Sequence, residues 1–404
     1  MTFAVLPFQA RADDNAASEV AAAISDAVFA LEERKLLWAL VASRASVEQA
    51  VSQRRSSKDV ASALDVHFLI RGNVSRAPLG YAVEVLVIDG ATERVIDTRT
   101  VVVAAPVLTS RDRRDLEDLL GGLTYKALEV EVQRTRDKSD PMLDVRDLSF
   151  RAYVDWGNSR QQDPKAAYLL ATSLLNRALA KVPDDLLALY LTARVNLCDC
   201  VEGWSHNVEE QQAIGAAAME KYLRRVPDSA SMLTLKSELY ALQGRFEESL
   251  LLADAVLKRE PDDTEALADK AYALLKLDRT TEAATAIDDV LDRRDRWPET
   301  ALAAAIRYQL GQYDRAAQAA QKVMTQMNRE EASNHRSGAV ALTLVAAEAR
   351  LGHLPRAKVA LSDFYAAVPG VRTLSEIRRW MHPAADLAGY EPLFDGLHLA
   401  GVSD

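Results

Sequence analysis

Cysteine is nearly absent. Only Cys198 and Cys200 occur in 404 residues, as one C-D-C. Two thiols cannot build a disulfide framework, and a zinc site needs about four ligands in paired spacing. They read as two ordinary thiols near a helix end, in a chain of the reducing cytosol. Basic residues are outnumbered, 49 Lys and Arg against 59 Asp and Glu, for a net charge of -10. That gives no overall cationic footprint for nucleic acid or an anionic membrane. No apolar run approaches the ~20 residues of a membrane span. A secretory leader is not expected either: the start lacks a basic n-region, and its apolar run is broken by Pro7 and followed by Arg11, Asp13 and Asp14.

The usual catalytic signatures are missing too. There is no G-x-x-x-x-G-K-[ST], no G-x-G-x-x-G, no H-E-x-x-H and no G-x-S-x-G. The six histidines, His67, His206, His335, His353, His382 and His398, have no metal spacing and read as structural or exposed. Gly121-Gly122 lies inside a helical pattern and is expected to mark a break rather than a phosphate loop. Asp89 before Gly90 reads as a hairpin acid, with a catalytic acid as the alternative. Asp184-Asp185 and Asp262-Asp263 follow a helix-ending proline and read as N-caps and first-turn acids, with a metal role as the alternative. The mixed-sign cluster Arg111-Asp112-Arg113-Arg114-Asp115 reads as a solvated helix start. No cofactor, no metal site and no catalytic residue is expected, and any catalytic domain lies outside these residues.

What is present has two periods. Residues 1–140 mix strands and helices in a small α+β domain. Ala4–Phe8 reads as a short buried strand, and Ala16–Leu31 as a helix with one apolar face (Val20, Ala23, Ile24, Ala27, Val28, Leu31). A second strand follows at Leu36–Val41, then short helices near Ser46–Gln53 and Lys58–Leu64. HFLIRGNVSR, GYAVEVLVIDG and ERVIDTRTVVV alternate and are rich in Val, Ile and Thr. Turns at Ala77–Gly80 and Asp89–Thr92 join them into an antiparallel meander of three strands. A helix from Asp112 to Arg134 closes the unit. Residues 135–150 are polar, contain Pro141 and read as a loop, with 141–150 the linker.

From 151 to 404 the strand signal disappears and helical periodicity takes over. Pro183, Pro227 and Pro261, in KVPDD, RVPDS and REPDD, are spaced by 44 and 34 residues. Gly244, Asp278, Gly311 and Gly352 fall between paired helices at intervals of 34, 33 and 41. A helix-turn-helix unit with a period near 34 is the tetratricopeptide signature. In ELYALQGRFEESLLLADAVLKREPDD, Tyr240 and Leu242 lie on the first helix and Gly244 supplies the turn. Phe246 and Leu250 begin the second helix, which Pro261 stops. Ala271, Ala283, Ala304 and Ala316 are small where two helices must approach closely. The pattern is clear in 230–263, 264–297 and 298–326, looser in 338–369 and degenerate in 151–229. The 44-residue interval carries an insertion around CDCVEGWSHN, expected between the two helices of one repeat. The fold class is thus an α+β domain followed by an all-α tetratricopeptide-type superhelix with a C-terminal cap.

The ordered set of features resembles a known arrangement. Ala4–Phe8 (AVLPF), Gly72-Asn73-Val74 and Val85-Leu86-Val87-Ile88-Asp89 are similar to the opening, G-x-V strand and hairpin of the TolB amino-terminal domain. Gly396, Leu397, Ala400 and Gly401 match a closing G-L-x-x-A-G of bacterial signalling chains that join that domain to tetratricopeptide repeats. QARADDNA stands where the family has N-x-S-G-D. The resemblance implies a region C-terminal to a class III adenylate or guanylate cyclase domain. Its alternatives are the same module of a winged-helix transcription regulator, or a stand-alone adaptor. AVLPF is where the second module of such a protein begins, so the chain is expected to be a fragment of a longer protein or a stand-alone relative.

Surface then carries the function. Stacked helix pairs make a concave face that binds peptides or partner domains. From the repeat register, Glu238, Tyr272, Lys276, Tyr308 and Arg350 are the candidate lining residues, with solvation or cover by the N-terminal domain as the other reading. The expected partner is a protein or peptide in this groove, or a second copy of the chain. Direct contact with nucleic acid or membrane is not expected, and the location expected is cytoplasmic. The meander also offers an edge strand for pairing.

Overall fold

The computed structural model describes residues 1–10, 14–35, 40–53, 56–104, 108–136, 138–159, 162–201, 207–293, 297–326, 335–381 and 390–404. The chain divides into two compact units, Met1–Val154 and Asp155–Asp404.

The first unit is built on one sheet of strands β1 (Thr2–Val5), β2 (Gln9–Ala10), β3 (Leu40–Val41), β4 (Phe68–Ala77), β5 (Gly80–Asp89) and β6 (Val95–Val103). Their order is β3-β1-β4-β5-β6, with β2 also on β4. Parallel neighbours need crossovers. Helix α1 (Asn15–Lys35) links the parallel pair β1 and β3, and α2 (Arg44–Ser52) with α3 (Ser57–Leu64) returns the chain to β4 beside β1. Of the second strand expected at Leu36–Val41, residues 36–39 lie outside the described residues. β4, β5 and β6 form the expected antiparallel meander. Helix α4 (Ser110–Thr135) covers the face carrying Val83, Val85 and Val87, all 0% exposed. Ala4, Leu69 and Ile88 pack with Val47, Val60 and Ala61 from α2 and α3.

The two quoted motifs of this unit meet in space. A Cβ on Gly72 would overlap the ring of Phe8, so the AVLPF phenylalanine lies directly on the G-x-V strand. Asp89 is a turn residue. Its Oδ1 accepts from Ala91 N (3.0 Å) and Thr92 N (3.2 Å), and its Oδ2 accepts from Arg134 on α4. Asp112 of the mixed-sign cluster closes a capping box with Thr109 at the start of α4 and is buried.

Two local expectations are corrected. Gly121-Gly122 does not break α4, which runs through it. A Cβ on Gly122 would fall on the Arg99 guanidinium, and the neighbouring Leu119, Leu120 and Leu123 are buried, so packing holds the helix straight across the pair. The loop expected over 135–150 contains a short 3-10 turn, Asp140–Met142, and then helix α5 (Val145–Ser159). Its polar letters are caps: Asp147 N donates to Asp144 Oδ1 (2.8 Å), and Asp144 N donates to Asp147 Oδ2 (3.2 Å). Leu143, Leu148 and Phe150 are all buried.

The second unit continues as helices α6 (Pro164–Lys181), α7 (Leu186–Val201), α8 (Val208–Arg225), α9 (Ala230–Leu242), α10 (Phe246–Leu257), α11 (Thr264–Lys276) and α12 (Thr280–Arg293). It ends with α13 (Trp297–Gln309), α14 (Tyr313–Gln326), α15 (His335–Arg350), α16 (Leu354–Ala367), α17 (Leu374–Met381) and α18 (Glu391–Leu399). Prolines and acids punctuate it as expected. Asp185 Oδ1 accepts from Ala188 N (2.8 Å), and Asp263 Oδ1 accepts from Ala266 N (2.9 Å). Ser229 caps α9 in the same manner. Asp184 pairs with Arg225, and among the described residues no group of three or more His, Cys, Asp or Glu could hold a metal ion. The long interval falls between α7 and α8, with 202–206, and hence His206, outside the described residues; His382 also lies outside them.

Four turns inside helix pairs share one geometry. Gly244, Asp278, Gly311 and Gly352 have φ of 73°, 58°, 74° and 78°. After each, the next N–H reaches back to the preceding helix: Arg245 N to Tyr240 O (2.8 Å), Arg279 N to Leu274 O (2.9 Å), Gln312 N to Arg307 O (2.9 Å) and His353 N to Glu348 O (2.9 Å). This is the left-handed C-cap that glycine adopts without strain. Asp278 alone of the four carries a side chain there. Asp278→Gly is therefore expected to stabilise the chain by about 0.5 kcal/mol, the relief of strain being partly offset by the freer unfolded chain. Urea unfolding of the two proteins checks it.

Candidate partner-binding groove

The first helices of successive pairs, α9, α11, α13 and α15, carry the five predicted lining residues. The structure sorts them into two groups. Tyr308 on α13 and Arg350 at the end of α15 are engaged by the chain's own last helix. Tyr308 is 2% exposed and its hydroxyl donates to Pro392 O at 2.8 Å. Burial pushes the pKa of that hydroxyl above its ordinary value. Arg350 reaches Pro392 O (3.4 Å) and Asp395 (3.5 Å), with its guanidinium 5.9 Å from the Tyr313 ring centre.

Helix α18 is seated by more than these contacts. Leu393, Phe394 and Leu397 are 5%, 2% and 0% exposed. Arg378 on α17 stacks on the Phe394 ring at 3.8 Å and forks onto Glu391 at 2.7 and 2.8 Å. Gly396 permits close approach, since a Cβ there would lie 2.7 Å from Ala346 Cβ and against the Tyr308 hydroxyl. Beyond the helix, Leu374 N donates to Ser403 O at 2.8 Å.

Glu238, Tyr272 and Lys276 form the second group, all half-buried. The Lys276 ammonium faces three rings: Tyr390 just before α18 at 5.3 Å, Tyr272 at 5.6 Å and Phe246 at 6.0 Å. Phe246 and Tyr272 meet edge to face at 6.2 Å. This aromatic cluster with its cation is an adhesive surface of the kind that anchors interfaces. One turn before Tyr272 lies Asp269, which the sequence reading passed over. Burial first, then the neighbouring Glu238 carboxylate, pushes its pKa well above the usual carboxylate range, against a Ser237 hydrogen bond that lowers it. Its Oδ2 is shielded from solvent with no hydrogen-bond partner among the described residues. The signal was available as an acid at position i−3 from Tyr272 on a helix whose stripe is otherwise apolar. The role of α18 was foreshadowed only by the apolar run PLFDGLHLA.

Comparison with known proteins bears on the same helices. The tetratricopeptide repeat family model matches residues 211–264 and 243–301. This stretch carries tetratricopeptide repeats. The chain is similar to the crystal structure of a tetratricopeptide repeat protein from Parabacteroides merdae ATCC 43184, at 14% identity over 62% of this chain and 99% of that one, with a TM-score of 0.39. No curated protein matches the chain. The matched repeats run from α8 to the first residues of α13, so they contain Glu238, Asp269, Tyr272 and Lys276. Tetratricopeptide repeats generally serve as protein-interaction surfaces. Among the described residues no helix is long and apolar enough to cross a membrane.

Two outcomes follow from this geometry. An acid with a raised folded pKa is bound more tightly to its proton in the native state, so it lowers stability as pH rises above its unfolded value of about 3.9. Asp269→Asn is expected to raise the Tm at pH 7 and to leave it nearly unchanged at pH 4, read by calorimetry. Gly396→Leu is expected to lift α18 from α13 and α15 at a cost of about 2 kcal/mol, measured by denaturant unfolding.

Proposed function

We propose that this chain is a non-catalytic interaction and regulatory module of a bacterial cytoplasmic signalling protein, which takes a protein partner along the first helices of its tetratricopeptide repeats. The observation that carries the reading is α18. The chain's own helix lies on α13 and α15 with Leu393, Phe394 and Leu397 as anchors, which supports a groove suited to a short amphipathic helix. Upstream of Tyr390 the same face continues over Tyr272, Lys276 and Glu238, and this part is the proposed seat of the partner. The resemblance of the ordered motifs to the region following class III nucleotide cyclase domains supports such a cyclase as the regulated output domain.

The test is affinity capture with the purified chain as bait in extract of the source organism. Replacing Tyr272 and Lys276 together by alanine is expected to weaken capture of a defined partner by about tenfold, the scale of a lost interface anchor. Circular dichroism should show an intact fold in that variant. Turnover of a nucleotide by this chain alone would overturn the non-catalytic reading.

A further inference from the structure

Strand β6 is the last strand in the sheet order, so its outer side pairs with no strand among the described residues. It is nine residues long, VIDTRTVVV, with neither lysine nor proline to discourage pairing. Val95 and Val102 are 46% and 50% exposed, and Thr98 and Thr100 are exposed as well. A register shift near Ile88 leaves Asp97–Val103 as the regular part of this edge. Thr98 N donates to the carboxylate of its own neighbour, Asp97 Oδ1, at 2.9 Å rather than to β5. By the alternation of antiparallel ladders, the outward backbone groups are then those of Thr98, Thr100 and Val102.

The edge is complementary to itself. Two β6 strands running antiparallel about a two-fold axis at Thr98 set Thr98 opposite Thr98 of the partner subunit. Asp97 then faces the partner's Arg99, and Arg99 faces the partner's Asp97. Within one chain Arg99 Nε already lies 3.1 Å from Asp97 Oδ2, so the two copies close a ring of four alternating charges. The helix above the edge carries two glycines. Gly122 puts the middle of α4 against Arg99, while Gly121 is exposed, with nothing within 4 Å of a Cβ placed on it. A glycine inside a helix costs roughly 1 kcal/mol against alanine, and no packing within the chain among the described residues calls for this one.

We infer that a second copy of this chain docks antiparallel along β6, joining the two sheets through a two-fold axis at Thr98. This does not rest on the groove reading, which concerns the repeats, and its test touches no groove residue. Light scattering of the full chain over a dilution series is expected to show a dimer. Asp97→Arg and Arg99→Asp each place like charges opposite one another, and each is expected to weaken association by about tenfold or more. An equimolar mixture of the two variants sets two arginines against two aspartates and restores the dimer. Backbone amide exchange of the wild-type chain guards against a folding defect: Thr98 and Thr100 should exchange more slowly at high than at low concentration. A wild-type monomer throughout overturns the inference. So does a dimer that both variants leave intact, a mixture that fails to recover, or edge amides that ignore concentration.

Discussion

A helix pair with one apolar stripe cannot bury that stripe by itself, and the whole of Asp155–Asp404 is arranged around this constraint. Each pair must be stacked on the next, and stacking at close range requires small residues at the crossing. Ala271, Ala283, Ala304 and Ala316 are all 0% exposed, packed where one helix lies on its neighbour. The turn between the two helices of a pair must then reverse the chain within a couple of residues. That demand puts Gly244, Asp278, Gly311 and Gly352 into the left-handed region and lets the following N–H close each helix.

The same constraint divides the inner face. Pairs in the middle of the stack are covered on both sides, but among the described residues no further helix pair stacks on α15 and α16. Here α17 and α18 do the covering, and α18 does so by lying on α13 and α15. Tyr308, with its hydroxyl on a backbone oxygen of that segment, is core rather than surface, while Tyr272 and Lys276 stay half-buried at the border where the last helix begins. A partner on the neighbouring stretch would therefore touch both the repeats and the segment around Tyr390.

Much of this was legible in the sequence, because the deciding features are local. The proline and acid phrases specify where a helix stops and the next is capped: Asp185 and Asp263 cap as read, and Ser229 caps in the same way. The alternation in 68–103 specifies the meander for the same reason. What was not legible depends on residues far apart in the chain. Gly121-Gly122 looks like a break until Arg99 is seen to lie over it. Residues 145–150 look like part of a loop because the stretch is polar, whereas Asp144 and Asp147 are in fact each other's caps at the start of a helix. The register placed Tyr308 and Arg350 on the inner face but could not say that residues some forty to ninety positions later would occupy them, since such tertiary contacts leave no local trace.

Stacked-repeat proteins behave as one-dimensional chains in which each unit senses only its neighbours, and their ends loosen first. The fold-back of the last segment changes that arithmetic at one end. Through Tyr390 it touches α11, through Pro392 it touches α13, and through Asp395 and Gly396 it touches α15, so a single short helix bridges three successive pairs. Opening the last pair alone would sever contacts belonging to all three. The C-terminal third of the chain is thereby tied into one cooperative block, and a signal that loosens the final helix is felt two repeats away without passing through the units between.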